Sequence, residues 1–198
     1  INDGNSGNNY NISYAADNTG EIQVRNITVT AVTETKDYDG NTSSAGAPTY
    51  TLQPGDATGT APTQTFDNAT VGTGKTLTPS GLVISDGNSG NNYNIGYATN
   101  ATGVINQLAV TVTPDAGQFK VFGDADPTFT YTATPSLVSP DVFSGSLSRV
   151  AGEAIGFYAY TLGSLTASSN YAVSLGGSNT FEVQAISQSN ADFRSKAN

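Results

Sequence analysis

An identical ten-residue repeat constrains the architecture of this 198-residue chain more than any other feature of its sequence. The sequence Asp-Gly-Asn-Ser-Gly-Asn-Asn-Tyr-Asn-Ile occupies residues 3–12 and again residues 86–95. The same offset of 83 residues continues to Ile22, which matches Ile105, and a diverged third copy begins at Asn170. Identity over ten residues is not accidental. The chain is therefore predicted to consist of tandem repeats, each of which is one structural unit.

The segments that follow the repeats alternate between apolar and polar residues. Ile27 and Val29 alternate with Thr28 and Thr30, and residues 110–113 repeat the pattern. A period of two residues is typical of a half-buried strand. Turn-forming pairs of Gly, Asn, Asp, Ser and Pro recur about every eight to twelve residues, as in a sandwich. The sequence therefore predicts an all-β protein made of tandem immunoglobulin-like β-sandwich domains in an elongated array.

The phase of the repeats gives the predicted boundaries. Each unit ends in a hairpin and passes almost without a linker into the first strand of the next. Residues 1–25 are predicted to be the closing hairpin of a truncated repeat. Residues 26–107 and 108–185 are predicted to be two complete sandwiches, and residues 186–198 a linker or cut end.

The chain contains no cysteine, histidine, methionine or tryptophan. Imidazoles and thiolates are the usual ligands of zinc, copper, haem iron and iron–sulfur clusters. They are also the commonest general base and the thiol nucleophile of enzymes. We therefore expect no catalytic residue, no bound cofactor and no enzymatic activity.

The charge balance restricts the partners. Seven Lys and Arg against sixteen Asp and Glu give a formal net charge of −9. An acidic surface repels phosphate backbones, so we expect no nucleic-acid binding. No apolar stretch is long enough to span a bilayer, so we expect no membrane insertion.

The repeated Asp-Gly-Asn-Ser-Gly segment has two interpretations. Its alternating oxygen side chains are typical of a calcium loop, with Asp86, Asn88 and Asn92 as candidate ligands. Position twelve of such a loop, counted from Asp86, is Tyr97 rather than the bidentate Glu of an EF-hand. The other interpretation is an Asx turn at the end of a hairpin. The sequence favours the turn and leaves calcium open.

Three further groups of residues have both a structural and a chemical interpretation. The pairs Asp37/Asp39 and Asp124/Asp126 could do acid–base chemistry, but their Gly-rich surroundings favour hydrogen bonds to backbone N–H groups. Tyr10, Tyr93 and Tyr171 each follow Asn, which favours the tyrosine corner of a sandwich over an exposed binding face. Lysines 36, 75 and 120 could form Lys–Asn isopeptide bonds, but solvated side chains are the expectation.

Motif segments in both predicted sandwiches resemble known families. In residues 26–107 they are Lys36–Gly40, Thr65–Ala69, Val71–Lys75 and Gly90–Tyr93. These resemble the YDG repeat of large bacterial surface and two-partner-secreted adhesins. In residues 108–185 they are Lys120–Pro127, Phe143–Gly145, Arg149–Glu153, Gly163–Leu165 and Asn170–Tyr171. These resemble the MBG repeat (mostly beta, glycine-rich), with Phe122 where that pattern usually has Tyr.

The resemblance implies structural roles for eight motif residues, and no catalytic ones. They are Tyr38, Asp39, Gly40, Tyr93, Gly123, Asp126, Pro127 and Tyr171. It also implies an extracellular location on a bacterial cell surface.

The predicted function is that of a structural spacer in an adhesin or surface filament, with neighbouring repeats of the same polypeptide as partners. Two alternatives remain open. The loops could bind a host glycan or protein, or sheet edges could pair with a neighbouring filament.

Overall fold

A computed structural model describes residues 1–186, and all fifteen of its regular elements are β-strands. The predicted all-β fold is confirmed. Among the described residues, no helix has the length and apolarity that crossing a membrane requires. Most of the predicted linker or cut end, residues 187–198, lies outside this range.

The first eight strands form the N-terminal half, residues 25–106. They are β1 (Arg25–Thr30), β2 (Thr35–Asp37), β3 (Ala57–Thr60), β4 (Thr63–Phe66), β5 (Gly72–Ser80), β6 (Val83–Ser85), β7 (Tyr93–Ala98) and β8 (Asn100–Asn106). They pair as β1-β7, as β2-β8-β5-β4 and as β3-β6. The β1–β7 and β2–β8 pairs are parallel, whereas the other pairs are antiparallel.

The remaining seven strands form the C-terminal half, residues 108–184. They are β9 (Leu108–Pro114), β10 (Phe119–Val121), β11 (Tyr131–Thr134), β12 (Ser148–Arg149), β13 (Gly156–Thr161), β14 (Tyr171–Leu175) and β15 (Thr180–Gln184). They pair as β10-β15-β13-β12 and as β11-β9-β14. Here β9–β14 and β10–β15 are the parallel pairs.

The two halves share a plan. In each, the first strand lies parallel to the strand that begins with the repeated Tyr, so that Arg25 faces Tyr93 and Leu108 faces Tyr171. In each, the second strand lies parallel to the last, so that Asp37 faces Asn106 and Val121 faces Gln184. Within residues 1–186, every paired strand has its partner in its own half. Only Gln107 separates β8 from β9.

The core follows the alternation seen in the sequence. In β1, Ile27 and Val29 are buried between exposed neighbours. Two apolar clusters fill the N-terminal half, one around Val29 and Leu82 and one around Leu77 and Ile105. One cluster, which includes Val112 and Phe181, fills the C-terminal half. Each half thus buries apolar side chains of its own.

Residues 1–24 contain no strand in the structure, and this differs from the hairpin predicted for residues 1–25. Tyr14 and Ile22 are 92% and 99% exposed, and the first strand begins at Arg25. The matching segment, residues 93–106, is held by β1, β2 and β5, all of which precede it in the chain. In that segment β7 and β8 lie in different sheets and do not pair with each other, so it consists of two successive strands rather than a hairpin. Residues 10–23 have the same sequence pattern but form no ladder with the described strands.

Two matching glycines allow a test of this difference. A Cβ at Gly103 would lie 2.9 Å from the Phe66 ring and 3.0 Å from the Lys75 carbonyl oxygen, whereas a Cβ at Gly20 meets nothing within 4 Å. We expect Gly103→Ala to destabilise the chain by about 1–3 kcal/mol through overpacking. The matched variant Gly20→Ala is expected to leave the urea midpoint unchanged. Equal effects of the two substitutions would contradict the described packing.

Candidate functional site

The Lys36–Gly40 motif forms a turn at the end of β2, beside the end of β8. The Tyr38 N–H donates to the Asn106 carbonyl, 2.9 Å away, and continues the parallel ladder by one residue. The Lys36 ammonium donates to Asp39 Oδ1 at 2.8 Å and to the Asn41 carbonyl at 2.8 Å. Gly40 has a φ of +78°, a left-handed conformation that glycine adopts without strain. The turn therefore places Tyr38 at the end of the N-terminal half from which the chain leaves.

A second motif residue, Tyr171, lies at the end of the C-terminal half where the chain enters. Its hydroxyl accepts the Val138 N–H at 2.9 Å and donates to Asp141 Oδ2 at 2.7 Å. The Asp141 N–H in turn donates to the Val138 carbonyl at 2.8 Å. The Tyr at the start of β14 thus ties a distant loop to the sheet, the arrangement by which a tyrosine corner acts.

These two sites meet and form the junction, which we define as Tyr38 and Val71 from the N-terminal half with Asp141, Asn170 and Tyr171 from the C-terminal half. The Tyr38 hydroxyl donates to Asp141 Oδ2 at 3.0 Å, so one carboxylate accepts from both tyrosines. The two rings meet edge to face at 5.4 Å. The Val71 N–H donates to Asn170 Oδ1 at 3.1 Å. Both halves therefore contribute hydrogen-bond donors and ring surface to one contact.

Burial and Asp141 both act on the tyrosines of the junction. Burial, followed by the hydrogen bond to the carboxylate, raises the pKa of Tyr171 to about 12 and raises the pKa of Tyr38 in the same direction. Each phenol therefore keeps its proton at neutral pH and remains a donor to Asp141. A hydrogen bond to an ionised acceptor is stronger than one between neutral groups.

The chain between the halves is also held. Gln107 donates its side-chain amide to the Ser169 carbonyl at 3.0 Å and to the Tyr171 carbonyl at 3.2 Å. The turn itself is in close contact, because a Cβ at Gly40 would lie 2.7 Å from a methyl carbon of Val138. The motif glycine thus permits both the left-handed turn and the approach of the C-terminal half.

Tyr93, the matching residue of the N-terminal half, forms the same type of corner. Its hydroxyl donates to Asp56 Oδ2 at 2.5 Å and accepts the Gln53 N–H at 3.0 Å. It lies at the opposite end of this half from Tyr38. Tyr93 and Tyr171 therefore occupy equivalent places in the two halves, whereas Tyr10, the third predicted corner residue, is 58% exposed in the segment before β1.

The motif residues Gly123, Asp126 and Pro127 belong to a turn that supplies an ion cluster. Asp126 bonds to Arg149 Nε at 2.7 Å and to the Lys120 ammonium at 2.8 Å. Glu153 bonds to the same two cations, at 2.9 and 2.5 Å. The Lys120 and Arg149 side chains are only 4% and 3% exposed.

The Arg149 guanidinium lies 4.8 Å from the Tyr158 ring centroid and 5.1 Å from that of Phe181. The two acidic motif residues therefore neutralise cations that are packed on the core.

The lysines differ from the expectation of solvated side chains. Lys36, Lys75 and Lys120 are 13%, 8% and 4% exposed, and each forms an ion pair. Lys75 lies 3.4 Å from Asp67 Oδ1 and also donates to Asn68 Oδ1. Burial acts to raise the pKa of Asp67, but hydrogen bonds and the Lys75 charge lower it overall. An ionised Asp67 cannot polarise the Asn68 amide by donating a proton. The arrangement therefore favours an ion pair over an isopeptide bond.

In the candidate calcium loop, the Asp86 carboxylate accepts hydrogen bonds from the backbone N–H groups of the loop itself. Asp86 Oδ1 accepts the N–H groups of Asn88 at 2.9 Å and Gly90 at 2.7 Å, and Oδ2 accepts that of Asn92 at 3.2 Å. These bonds, that of Gly90 first, lower the pKa of Asp86. Asp3 in the first copy accepts the N–H groups of Asn5 and Gly7 in the same way. The geometry is that of an Asx turn, and residues 1–186 contain no cluster of three or more acidic side chains arranged to hold a metal.

The second aspartate of each acidic pair, Asp39 and Asp126, is in an ion pair as well. Burial acts to raise the pKa of Asp39, but the hydrogen bond from Lys36 and the other interactions lower it overall. The hydrogen bond from Arg149 lowers the pKa of Asp126, although burial acts in the opposite direction. A general acid at neutral pH needs the opposite shift. The absence of catalysis nevertheless remains a prediction.

The sequence alone did not identify Asp141, Asn170 or Arg149 as partners of the motif tyrosines and acids. Arg149 lies in a quoted motif, but nothing in its spacing indicates that it faces Asp126. Asp141 follows a Ser-Pro pair, as Asp56 follows Pro-Gly, and this similarity between the two corner loops was the available signal.

The ion cluster makes the stability of the C-terminal half depend on pH. The hydrogen bonds from Arg149 and Lys120 hold the pKa of Asp126 and of Glu153 below their unfolded values, near 3.8 and 4.5. Their contribution is thus fully present above pH 4.5 and is lost as the pH falls through the lowered folded-state values. We expect Asp126→Asn to cost about 1–3 kcal/mol at pH 7 and clearly less near pH 2.5, measured by urea unfolding.

Asp37→Asn, at an exposed position outside the cluster, serves as the control and is expected to change stability little at either pH. A deficit of Asp126→Asn that is the same at both pH values would show that the carboxylate charge is not the cause.

The Asx geometry predicts that calcium has no effect on stability. We expect thermal melts in millimolar calcium chloride and in EDTA to agree within a few degrees. A site at 100-fold saturation would add about 2.7 kcal/mol and raise the midpoint visibly. An increase that is abolished by Asp86→Ala would establish the calcium site instead.

Family models match most of the described chain. Residues 23–102 match the model of the YDG domain, and residues 110–182 match that of the MBG domain of the YGX type. The predicted order, YDG followed by MBG, is confirmed. Neither the curated proteins nor the solved structures gave a match.

Proposed function

Residues 23–102 are a YDG domain and residues 110–182 an MBG domain, and on this premise we propose that the chain is a stiff spacer segment of a bacterial surface adhesin. The two domains are consistent with an adhesin-type surface repeat. In this proposal each is an immunoglobulin-like sandwich, and the two stand end to end outside the cell. The segment carries another, adhesive region away from the cell surface and does no chemistry itself.

The observation that carries the proposal is the junction. Tyr38 and Tyr171 share the Asp141 carboxylate, and only Gln107 connects the last strand of one domain to the first of the next. A Gly/Ser linker would allow the domains to reorient freely. One residue held by two hydrogen bonds, beside a ring contact and a charge-assisted bond, restricts that freedom instead.

The strand pairing suits a segment under tension. A pull along the chain passes from β8, which lies between β2 and β5, directly into β9, which lies between β11 and β14. Both strands are central in their sheets, so their hydrogen bonds on both sides resist extension together. The formal charge of −9 favours solubility and discourages non-specific association of such an array.

The absence of cysteine allows a direct test of stiffness with two spin labels. We expect Thr63→Cys and Thr180→Cys, both at exposed strand positions in different domains, to give one narrow interspin distance distribution. Tyr38→Ala removes the ring contact and the bond to Asp141, and is expected to broaden the distribution at least twofold.

Tyr97→Ala, at a half-exposed position on β7 away from the junction, is the matched control and is expected to leave the distribution unchanged. Circular dichroism melts establish that both variants remain folded. A broad distribution in the unsubstituted chain would contradict the stiff spacer.

A binding role has one feature in its favour. Tyr131, Leu137, Val142 and Phe143 line an open cleft of about 620 Å³ next to Asp141, and Val142 is 76% exposed there. A glycan or peptide ligand would be expected to contact these aromatic rings. Ligand binding that is lost in Val142→Glu, with the interspin distance unchanged, would favour the binding module over the spacer.

A further inference from the structure

The YDG domain has at its N-terminal end the same type of tyrosine corner that the MBG domain has at the junction; we call these the YDG corner and the MBG corner. Tyr93 donates to Asp56 and accepts the Gln53 N–H, as Tyr171 donates to Asp141 and accepts the Val138 N–H. The loops agree in detail as well, because the acidic residue of each donates its N–H to the carbonyl three residues earlier. The acceptor side of the junction therefore occurs twice in this chain.

The incoming strand has the same relation to both corners. The Arg25 N–H donates to the Asn92 carbonyl at 2.9 Å, and the Leu108 N–H donates to the Asn170 carbonyl at 3.0 Å. The ladders that follow start in the same register. In each domain the chain thus enters beside an Asn-Tyr pair and an acidic residue.

At the MBG corner, the acidic residue and the Asn are contacted by the preceding domain. Asp141 accepts from Tyr38 as well as from Tyr171, and Asn170 accepts the Val71 N–H. At the YDG corner, the described contacts give Asp56 one tyrosine donor, and Asn92 Oδ1 accepts from Asn88 in its own loop. The YDG corner therefore has the same two hydrogen-bond acceptors as the MBG corner, but no preceding domain within residues 1–186 contacts them.

The sequence that immediately precedes β1 indicates which kind of domain would contact the YDG corner. Residues 3–23 repeat residues 86–106, and Val24 stands where Gln107 separates β8 from β9. The buried and partly buried positions of β7 and β8 are retained: Tyr10, Ile12, Gly20 and Ile22 correspond to Tyr93, Ile95, Gly103 and Ile105. In the YDG domain this segment ends at Asn106, beside Tyr38. A YDG domain that ended at residue 23 would bring its own Tyr-Asp-Gly turn to the corner at Asp56.

We propose that the corner of Asp56, Asn92 and Tyr93 is a docking site for the Tyr-Asp-Gly turn of another YDG domain that precedes it. The incoming phenol donates to Asp56 and its ring packs edge to face on Tyr93, while a backbone N–H donates to Asn92. One local difference exists, because Gln53 stands where Val138 contacts Gly40. The polar side chain is exposed and can lie along the turn. This inference rests on the proposed spacer function and extends its junction to a second pair of domains.

The test uses the full chain lengthened by one YDG domain, in which residues 24–106 replace residues 1–23 and are followed by the unchanged residues 24–198. Spin labels are attached to Thr63→Cys in both YDG copies, and double electron–electron resonance measures the distance between the two labels. We expect a narrow distribution that broadens at least twofold when Asp56→Ala is placed in the second copy.

Asp56→Ala in the first copy is the matched control, because it breaks the same corner bond where no domain precedes it. We expect it to leave the distance distribution narrow. Its thermal melt shows how much the substitution alone destabilises a YDG domain. Broadening in neither variant, or equally in both, would overturn the docking site.

A second label pair, Thr63→Cys of the second copy with Thr180→Cys, reports the YDG–MBG junction in the same molecule. A narrow YDG–MBG distribution beside a broad YDG–YDG distribution would overturn the docking proposal and leave the spacer function intact. Broad distributions at both places would overturn both.

Discussion

The arrangement of the two domains depends on one carboxylate. Asp141 accepts hydrogen bonds from Tyr171 of its own domain and from Tyr38 of the preceding one. The first bond fixes the loop that carries Asp141, and the second uses this fixed loop to orient the neighbour. The same group therefore serves the internal order of the MBG domain and its position relative to the YDG domain. A change in the corner is transmitted to the junction without any intermediate contact.

Each domain combines this polar end with an apolar interior and buried ion pairs. The chain has no cysteine, and its buried cations connect separate loops as disulfides do in many extracellular proteins. Arg149 and Lys120 connect the turn at Asp126 to the loop at Glu153, and Arg149 also packs on Phe181. The ion pairs and the packing of these motif residues give them a role in folding, with no binding or catalytic role required. Two of the MBG motif segments, Lys120–Pro127 and Arg149–Glu153, thus supply the residues of an internal ion cluster.

The motif segments were sufficient to predict the YDG–MBG order, through their resemblance to the two families. The repeats and the alternation of Ile27 and Val29 with threonines were sufficient to predict an all-β chain. They report local periodicity, which a sequence displays directly. Asp141 was not predictable, because its two donors lie 30 and 103 residues away and no periodicity connects them. Lys120 was expected in solvent, since a charge on a strand reveals its burial only when its partners are known. Residues 10–23 were predicted to be a hairpin, but the equivalent residues 93–106 form two successive strands that pair with β1, β2 and β5 rather than with each other, and a repeated sequence does not reveal such distant pairing.

The single residue between β8 and β9 has a geometric consequence for a longer array. Because Gln107 is the only residue between these strands and its side chain is bonded to the Ser169 and Tyr171 carbonyls of the MBG domain, the YDG domain is related to the MBG domain by a defined rotation and translation. Repetition of one such screw operation generates a helix, whose pitch follows from the rotation and the translation per step. Because successive residues of a strand face opposite sides, one inserted residue at this position would turn the following domain to the other face. In an array built from such domains, the length of this connection would therefore determine the side on which each successive domain presents its loops.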